Sequence, residues 1–271
     1  MYQVTDKLYL SHNVISSTNV HLRRQSNTQY SINKYCSFNY HTIKTMTAVN
    51  EFYLINNVSF NLATEHQRVT TEIKKGDVIY DVFAGVGPFA IPAAKMKKAV
   101  VYANDLNPNS YESLCKNIEL NKVKTEIKCS NLDGREFIRS IIKPDLLQRW
   151  TTCKETETET NFKVVMNLPA LAIEFTDAFQ SLFEDIDEGN KPTSQSLLPY
   201  LYVYCFTKSE TPEADVKQRI ETSIGSALPD SHIIRYVRNV APNKDMLCIC
   251  FHMPEEVMFR KKVVNGKITI V

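Results

Sequence analysis

The stretch from residue 78 to residue 108, VIYDVFAGVGPFAIPAAKMKKAVVYANDLNP, constrains this chain more than any other part of its sequence. Val78 to Phe83 is an apolar, β-branched run, which is typical of a strand buried on both faces. Gly85 and Gly87 then allow a tight turn, and Pro88 suits the first turn of a helix over Phe89 to Lys98. This order of strand, glycine turn and helix predicts half of a nucleotide-type cofactor site.

Two carboxylates mark the ends of the strands in this unit. Asp81 interrupts the buried run, where a carboxylate is costly unless something binds it. Asp105 follows a second predicted strand, Ala99 to Ala103, and is placed to accept hydrogen bonds from ribose hydroxyls. Gly85-x-Gly87-x-x-Ala90 followed by Asp105 also satisfies the relaxed dinucleotide fingerprint. These residues are therefore also compatible with an NAD-dependent dehydrogenase.

The later strands discriminate between a dehydrogenase site and an S-adenosylmethionine site. A third strand, Glu126 to Asn131, leads into Asp133-Gly134, and a fourth, Phe162 to Met166, leads into Asn167-Leu168-Pro169. A dehydrogenase needs neither motif. An S-adenosylmethionine site uses an acidic residue after the third strand to hold the adenine amino group, and the loop after the fourth strand to face the methyl acceptor. Both lie at the carboxyl ends of parallel strands, where open α/β sheets bind ligands.

The rest of the chain completes an α/β, doubly wound and mostly parallel sheet. Further strands are predicted at residues 198–206, 233–240 and 246–252, and the last two form a terminal antiparallel pair. Residues 1–60 are predicted to be a small amino-terminal β-rich or α+β domain with short antiparallel strands, and residues 61–271 the main domain. The polar stretches Lys154 to Asn161 and Asp185 to Ser196 are predicted to be mobile surface connections.

Composition narrows the function classes only slightly. Seven cysteines without a CxxC pair argue against a disulfide framework and a structural metal, which favours a reducing compartment. No apolar run approaches the roughly 18 residues of a membrane span, and the polar start lacks a secretory apolar core. We therefore expect no metal, no membrane association and a soluble protein. A net charge of +2 does not by itself indicate RNA binding.

Several motifs together resemble the eukaryotic and archaeal tRNA (guanine-N1) methyltransferases, which modify guanosine 37 beside the anticodon. They are Asp81-Val82-Phe83-Ala84-Gly85-Val86-Gly87-Pro88-Phe89, Asn104-Asp105-Leu106-Asn107-Pro108, Asn131-Leu132-Asp133-Gly134, Asn167-Leu168-Pro169, Thr64-Glu65-His66 and residues 237–244. The resemblance covers about residues 61–133, 164–179 and 197–254, and is poor before Asn61. It implies the class I, Rossmann-like methyltransferase fold with S-adenosyl-L-methionine as cofactor. The family's amino-terminal tRNA-elbow-binding module is expected to be absent.

The resemblance also assigns cofactor-binding residues. Asp105 would hold the ribose, Leu106 would flank the adenine, and Asp133 with Gly134 would contact the base edge. Gly85 and Gly87 would let the main chain approach the methionine part. The remaining cofactor contacts implied are His66, Asp81, Phe83 and Asn167. Read from the residues alone, the glycines form a plain turn and Asp133 caps a helix, a role that is compatible with ligand binding.

Catalysis in this family needs a base because neutral guanine carries a proton on N1. Glu65 is the candidate base by its match to the family's glutamate, whereas on its own it reads as an acidic residue that opens a helix. Asn167 and Pro169 would shape the pocket for the target base, and Arg238, Asn243 and Lys244 would contact RNA. The chain has Asn61 where relatives commonly have arginine, and Arg23, Arg24 and Arg68 are candidate replacements.

The function expected from these motifs is methyl transfer to N1 of guanosine 37 in the anticodon stem-loop of tRNA. Alternatives are the related wybutosine-pathway aminocarboxypropyl transferase and a cofactor- and RNA-binding homologue whose catalysis has lapsed. A dehydrogenase ranks last. We expect a monomer. The family works in cytosol, nucleus and mitochondria, so the cytoplasm is expected first, with the mitochondrial matrix and the nucleus left open.

Overall fold

The computed structural model describes residues 68–261 except 126, 157–159, 188, 190 and 193. It also describes three short antiparallel strand pairs. These pair β1 (Leu8–Leu10) with β2 (Asn13–Ile15), β3 (Lys44–Thr45) with β4 (Tyr53–Leu54), and, at the other end of the chain, Val263–Val264 with Lys267–Ile268. The first two pairs agree with the short antiparallel strands expected before residue 60. The proposed boundary at residues 60 and 61 lies outside the described residues.

A seven-stranded sheet forms the centre of the fold. Its strands are β5 (Val78–Asp81), β6 (Val100–Asn104), β7 (Ile127–Ser130), β8 (Phe162–Met166), β9 (Tyr200–Thr207), β10 (Ile233–Ala241) and β11 (Lys244–His252). Their spatial order is β10-β11-β9-β8-β5-β6-β7. The first five strands in sequence pair in parallel, while β11 is antiparallel to both β9 and β10. The predicted mostly parallel sheet with a terminal antiparallel pair is confirmed.

The strand order reverses between β5 and β8. From β5 the chain proceeds outward through β6 to β7, then returns to the other side of β5 as β8 and continues to β9. The segments that follow β5 and β8 accordingly pack on opposite faces of the sheet, and open α/β sheets bind ligands at the carboxyl ends of strands at such a reversal. This switch point is where the fold itself predicts a ligand.

Helices cover both faces of the sheet. They are α1 (residues 68–72), α2 (Ala90–Lys97), α3 (Pro108–Leu120), α4 (Gly134–Phe137), α5 (Lys143–Thr156), α6 (Pro212–Ile224) and α7 (Glu255–Met258). A π-helical turn, Ile138–Ile142, joins α4 to α5, and a 3-10 segment, Glu174–Phe179, follows the loop after β8. Pro108 at the first helical position and the Asn107 side chain, which accepts from the Asn109 N–H, begin α3.

The hydrophobic core has two parts, one on each face of the sheet. Residues of α1, α2 and α3 pack on one face, and residues of α5, α6 and the 3-10 segment pack on the other. Trp150 is fully buried in the second part and donates its indole N–H to the Leu197 carbonyl at 2.9 Å. Each face of β5 is thus covered, which explains why its sequence is continuously apolar up to Asp81.

The predicted connection from Lys154 to Asn161 is wrong over its first three residues. Helix α5 continues to Thr156, past the polar run's beginning. Leu146, Trp150 and Cys153 are all buried and lie at helical spacing, so packing of this face carries the helix into a sequence whose composition alone suggests a loop.

A polar network ties α5 to the sheet through Asp145. Its carboxylate accepts from the Tyr80 hydroxyl at 2.6 Å, the Tyr102 hydroxyl at 2.5 Å and the Arg149 guanidinium at 2.7 Å. Burial and this carboxylate raise the pKa of Tyr80, which keeps the phenol protonated as a donor. Since Tyr80 is fully buried, removing Asp145 leaves its hydroxyl without this acceptor.

We expect Asp145→Ala to lower the free energy of unfolding by about 2 to 4 kcal/mol, because buried hydroxyls lose their acceptor. The matched control is Asp185→Ala, which removes an exposed carboxylate that pairs with Lys143 at 2.8 Å. That change is expected to cost under about 1 kcal/mol. Urea unfolding followed by circular dichroism measures both, and equal costs for the two variants contradict the network's role.

Candidate functional site at the carboxyl edge of the sheet

Two side chains with unsatisfied buried oxygens flank the switch point in the described part of the chain. Asp81 is the last residue of β5 and is fully buried, and Asn167 follows the last residue of β8. Within the described part of the chain, neither carboxylate oxygen of Asp81 nor the side-chain oxygen of Asn167 accepts a hydrogen bond of good geometry. Unsatisfied buried acceptors are rare in proteins and costly. Their coincidence at the switch point indicates a place for a ligand that donates hydrogen bonds.

Electrostatics at Asp81 supports the same interpretation. Burial and the neighbouring Asp105 carboxylate raise the pKa of Asp81 from its ordinary 3.8 to about 8, against a smaller lowering by the backbone N–H of Ala90. Because water is largely excluded here and Asp105 is near, Asp81 holds its proton until a group of opposite charge offsets the cost of ionising it. A ligand with a cationic or N–H donor group is favoured there.

The glycine turn after β5 is fixed from two sides. The Gly85 N–H donates to the Asp105 carboxylate at 2.8 Å, and the side-chain amide of Asn117 on α3 donates to the Val86 carbonyl at 3.0 Å. Gly85 and Gly87 both have positive φ, at 57° and 96°. At Gly87 an added Cβ would lie 2.7 Å from Ile91 and 2.8 Å from Leu114. The sequence predicted the turn, but neither the role of Asp105 in holding it nor the contribution of Asn117.

Asparagine side chains join the loops that follow β5, β6 and β7. The amide of Asn104, which ends β6, donates to the Val82 and Leu132 carbonyls, and its oxygen accepts from the Leu132 N–H. The Asn131 amide donates to the carbonyls of Asp105 and Leu106. These bonds hold Asp105, Leu106 and Leu132 in one fixed arrangement. Leu106 projects into solvent with 63% of its surface exposed, so its apolar side chain is available for contact.

Asp133 and Gly134 open helix α4 at this edge. The Asp133 carboxylate accepts from the Arg135 N–H at 2.9 Å and caps the helix. Helix capping is one of the two roles expected of Asp133, and contact with the base edge of the cofactor is the other. Gly134 has no room for a side chain, because an added Cβ would lie 2.9 Å from both Phe83 and Phe175. The backbone at this point is therefore pressed against two aromatic rings.

The loop after β8 is held by neighbouring main-chain groups. The Pro169 carbonyl accepts from the Phe206 N–H at 2.9 Å, and the Leu168 carbonyl accepts from the N–H groups of Leu171 and Ala172. The Phe206 carbonyl in turn accepts from the Arg219 guanidinium at 2.8 Å. The loop that carries Asn167 and Pro169 is thus anchored to the end of β9.

The hairpin between β10 and β11 reaches the same edge of the sheet. Its turn pairs Ala241 with Lys244, and Asn243 adopts a positive φ of 55°. The Lys244 ammonium lies 4.2 Å from the centre of the Phe206 ring, next to the Pro169 anchor. Burial lowers the pKa of Arg238, which is half-buried on β10. Lys244 thus contacts the residue whose main chain anchors the loop after β8.

No helix among the described residues is long and apolar enough to cross a membrane. The same part of the chain contains no group of three or more histidine, cysteine, aspartate or glutamate side chains arranged to bind a metal ion.

Glu65 and His66 lie outside the described residues, and so do Asn61, Arg23 and Arg24. The roles expected of them stay predictions. The other predicted cofactor-site and acceptor-loop residues lie at or beside the carboxyl edge described above: Asp81, Phe83, Gly85, Gly87, Asp105, Leu106, Asp133, Gly134, Asn167 and Pro169.

Comparison with known proteins identifies the domain. Residues 54–187 match the family model described as the TRM5/TYW2 methyltransferase domain. The chain belongs to that family. It is 44% identical over 229 residues to the tRNA (guanine(37)-N(1))-methyltransferase of Xenopus tropicalis, which covers 82% of this chain and 45% of the relative. It is 46% identical over 204 residues to the mouse enzyme of the same description, covering 75% of this chain and 39% of the relative.

A solved structure shares this fold. The crystal structure of the M. jannaschii tRNA m1G37 methyltransferase matches with a TM-score of 0.50 and 25% identity, over 75% of this chain and 54% of that one. The chain spans less than half the length of the two curated relatives above. The predicted family and its Rossmann-like methyltransferase fold are confirmed.

We expect Gly87→Ala to lower the free energy of unfolding by about 3 to 5 kcal/mol, because it adds a steric clash to the strain of a positive φ. Gly76 is the matched control, since its φ of +91° is similar but an added Cβ would meet nothing within 4 Å. Gly76→Ala is expected to cost about 1 to 2 kcal/mol from backbone strain alone. Similar unfolding free energies for the two variants contradict the packing at Gly87.

Asp81 is expected to make stability depend on pH. Its pKa is raised in the folded state, so the native protein keeps a proton that the unfolded chain has lost, and stability falls as pH rises from about 4 toward 8. Asp81→Asn should abolish this part of the fall and be the more stable protein at pH 8. Urea titrations from pH 5 to pH 8 test this, with exposed Asp187→Asn as the control. Parallel pH profiles for wild type and Asp81→Asn would refute it.

Proposed function

We propose that this chain transfers a methyl group from S-adenosyl-L-methionine to N1 of guanosine 37 in tRNA. The Xenopus and mouse relatives are named as enzymes of this activity. The observation that carries the proposal is the pair of unsatisfied acceptors, Asp81 and Asn167, on the two strands that flank the switch point. One faces the place of a cofactor and the other begins the loop expected to meet the acceptor base.

The residues at the carboxyl edge fit this cofactor. The buried carboxyl group of Asp81, with its unsatisfied oxygens, suits the cofactor's ammonium group. The turn at Gly85 and Gly87, both with positive φ, would let the main chain approach the methionine part. Asp105 would accept from the ribose while keeping its bond to the Gly85 N–H. Leu106 would cover the adenine ring, and Asp133 with Gly134 would meet its edge. Phe83 and His66 complete the proposed cofactor contacts.

The cofactor supplies an electrophilic methyl group on a positively charged sulfur, so the protein's task is to orient and deprotonate the acceptor. Guanine N1 has no lone pair available until its proton leaves. We assign that proton to the Glu65 carboxylate. Asn167, whose side-chain oxygen is unsatisfied, would accept a hydrogen bond from cofactor or guanine, and Pro169 would form a fixed wall held by Phe206.

The proposed substrate is the anticodon stem-loop, where an unstacked base can be presented to the edge of the sheet. Arg238, Asn243 and Lys244 on the β10–β11 hairpin would contact the RNA, and Lys244 contacts Phe206, which anchors the acceptor loop. We propose residues 1–60 as a separate small domain. We further propose a monomer that works in the cytoplasm, with the mitochondrial matrix and the nucleus as the other compartments to be examined.

Single-turnover methylation tests the proposed reaction. The protein should methylate an unmodified transcript with guanosine at position 37 and leave a transcript with adenosine there unmodified. Glu65→Gln should lower the rate by about 100- to 10,000-fold, the usual contribution of a general base, with an unchanged dissociation constant for S-adenosylhomocysteine. Methylation of both transcripts, or a fully active Glu65→Gln variant, would be incompatible with the proposed mechanism.

A further inference from the structure

An aromatic pair lies against the start of α4, where the base of the cofactor is proposed to bind. Phe83 follows β5, and Phe175 belongs to the 3-10 segment that follows the loop after β8. Their ring centres are 5.0 Å apart in an edge-to-face arrangement. Both rings are only partly buried and pack on the core on the α5 side of the sheet. The pair therefore offers aromatic surface at the carboxyl edge.

Phe175 is in direct contact with the backbone that would meet the purine. A Cβ placed on Gly134 would lie 2.9 Å from one carbon of the Phe175 ring and 3.0 Å from the next. A planar group seated against Asp133 and Gly134 would have this ring as a near neighbour. A partly buried aromatic ring is well suited to contact such a group.

Arg135 holds Phe175 in this place. Its guanidinium lies over the Phe175 ring, 4.4 Å from the ring centre. Its Nε and one terminal nitrogen donate to the two carboxylate oxygens of Asp177 at 2.8 and 3.1 Å, and the latter nitrogen also donates to the Glu174 carbonyl. This bidentate pair fastens the 3-10 segment to the first turn of α4 on both sides of Phe175.

We propose that Phe175 is a wall of the adenine-binding site and that the Arg135–Asp177 pair is the positioning element that sets it there. This inference rests on the proposed cofactor and names a contact outside the glycine turn and the acidic strand ends. Phe175 lies on the same segment as the loop proposed to meet the target base. One stretch of chain, from Asn167 to Asp177, therefore contributes to both the acceptor side and the cofactor side of the site.

Phe259 is a natural control for Phe175. Its ring also packs against aromatic neighbours and lies beneath a cation, with the Lys191 ammonium 5.0 Å from its centre. It belongs to the core around Trp150 and Phe183, on the α5 side of the sheet. A phenylalanine-to-leucine change at this position alters packing of a similar kind without touching the carboxyl edge.

Isothermal titration of the full chain with S-adenosylhomocysteine and with methylthioadenosine tests the proposal. Phe175→Leu should raise both dissociation constants by about 5- to 15-fold and by a similar factor, because the two ligands share the purine and differ in the amino acid part. Arg135→Lys keeps the positive charge but loses the bidentate bond to Asp177. With Phe175 intact, it should raise both dissociation constants by about 3- to 10-fold. Phe259→Leu should lower the melting temperature and leave both constants unchanged.

The outcomes separate this inference from the proposed function. If the wild-type chain binds neither ligand, the proposed cofactor and the assignment of Phe175 both fail. If wild type binds and Phe175→Leu binds equally well, Phe175 is not a wall of the site, while the proposed function stands. A loss of affinity in Phe259→Leu as large as that in Phe175→Leu would show a general effect of destabilisation and would equally overturn the assignment.

Discussion

The buried carboxylate of Asp81 is the constraint around which the carboxyl edge of this sheet is built. It ends a strand that is covered on both faces, its oxygens lack a good hydrogen bond within the described residues, and Asp105 stands nearby. Such a group persists in a folded protein when its environment is fixed by other contacts. The loops around it are accordingly joined by side-chain amides, salt bridges and aromatic contacts. The stability given up at Asp81 leaves the site prepared for a donor group.

Rigidity at this edge comes from bonds that cross between loops. Asn104 joins the loops after β5 and β7, Asn131 joins those after β6 and β7, and Arg135 joins α4 to the segment after β8. The proposed methyl transfer would require the reacting atoms to be held in line, and fixed loops would supply much of that advantage. The β10–β11 hairpin, which is proposed to contact RNA, turns at the same edge.

Much of the fold was predictable because its signals are local. Buried strands read as apolar runs, the glycine turn requires two residues that tolerate positive φ, and the terminal hairpin shows as two neighbouring strand-like segments. The predicted strands at 78–83, 99–103, 126–131 and 162–166 agree with β5 to β8 within two residues at each end. Helix α5 was underestimated, because packing of Trp150 and Cys153 outweighs the polar composition that follows.

Sequence alone determined the alternation of strands and helices, the glycine turn and the acidic residues at strand ends, since each depends on neighbouring residues. Only the tertiary structure decided which of these side chains meet. Arg135 and Asp177 are 42 positions apart, and Tyr80 and Asp145 are 65 apart. Asp105 could be read as a ligand contact, but its bond to Gly85 could not. Contacts between distant positions follow from the order of strands in the sheet, and no local pattern records that order.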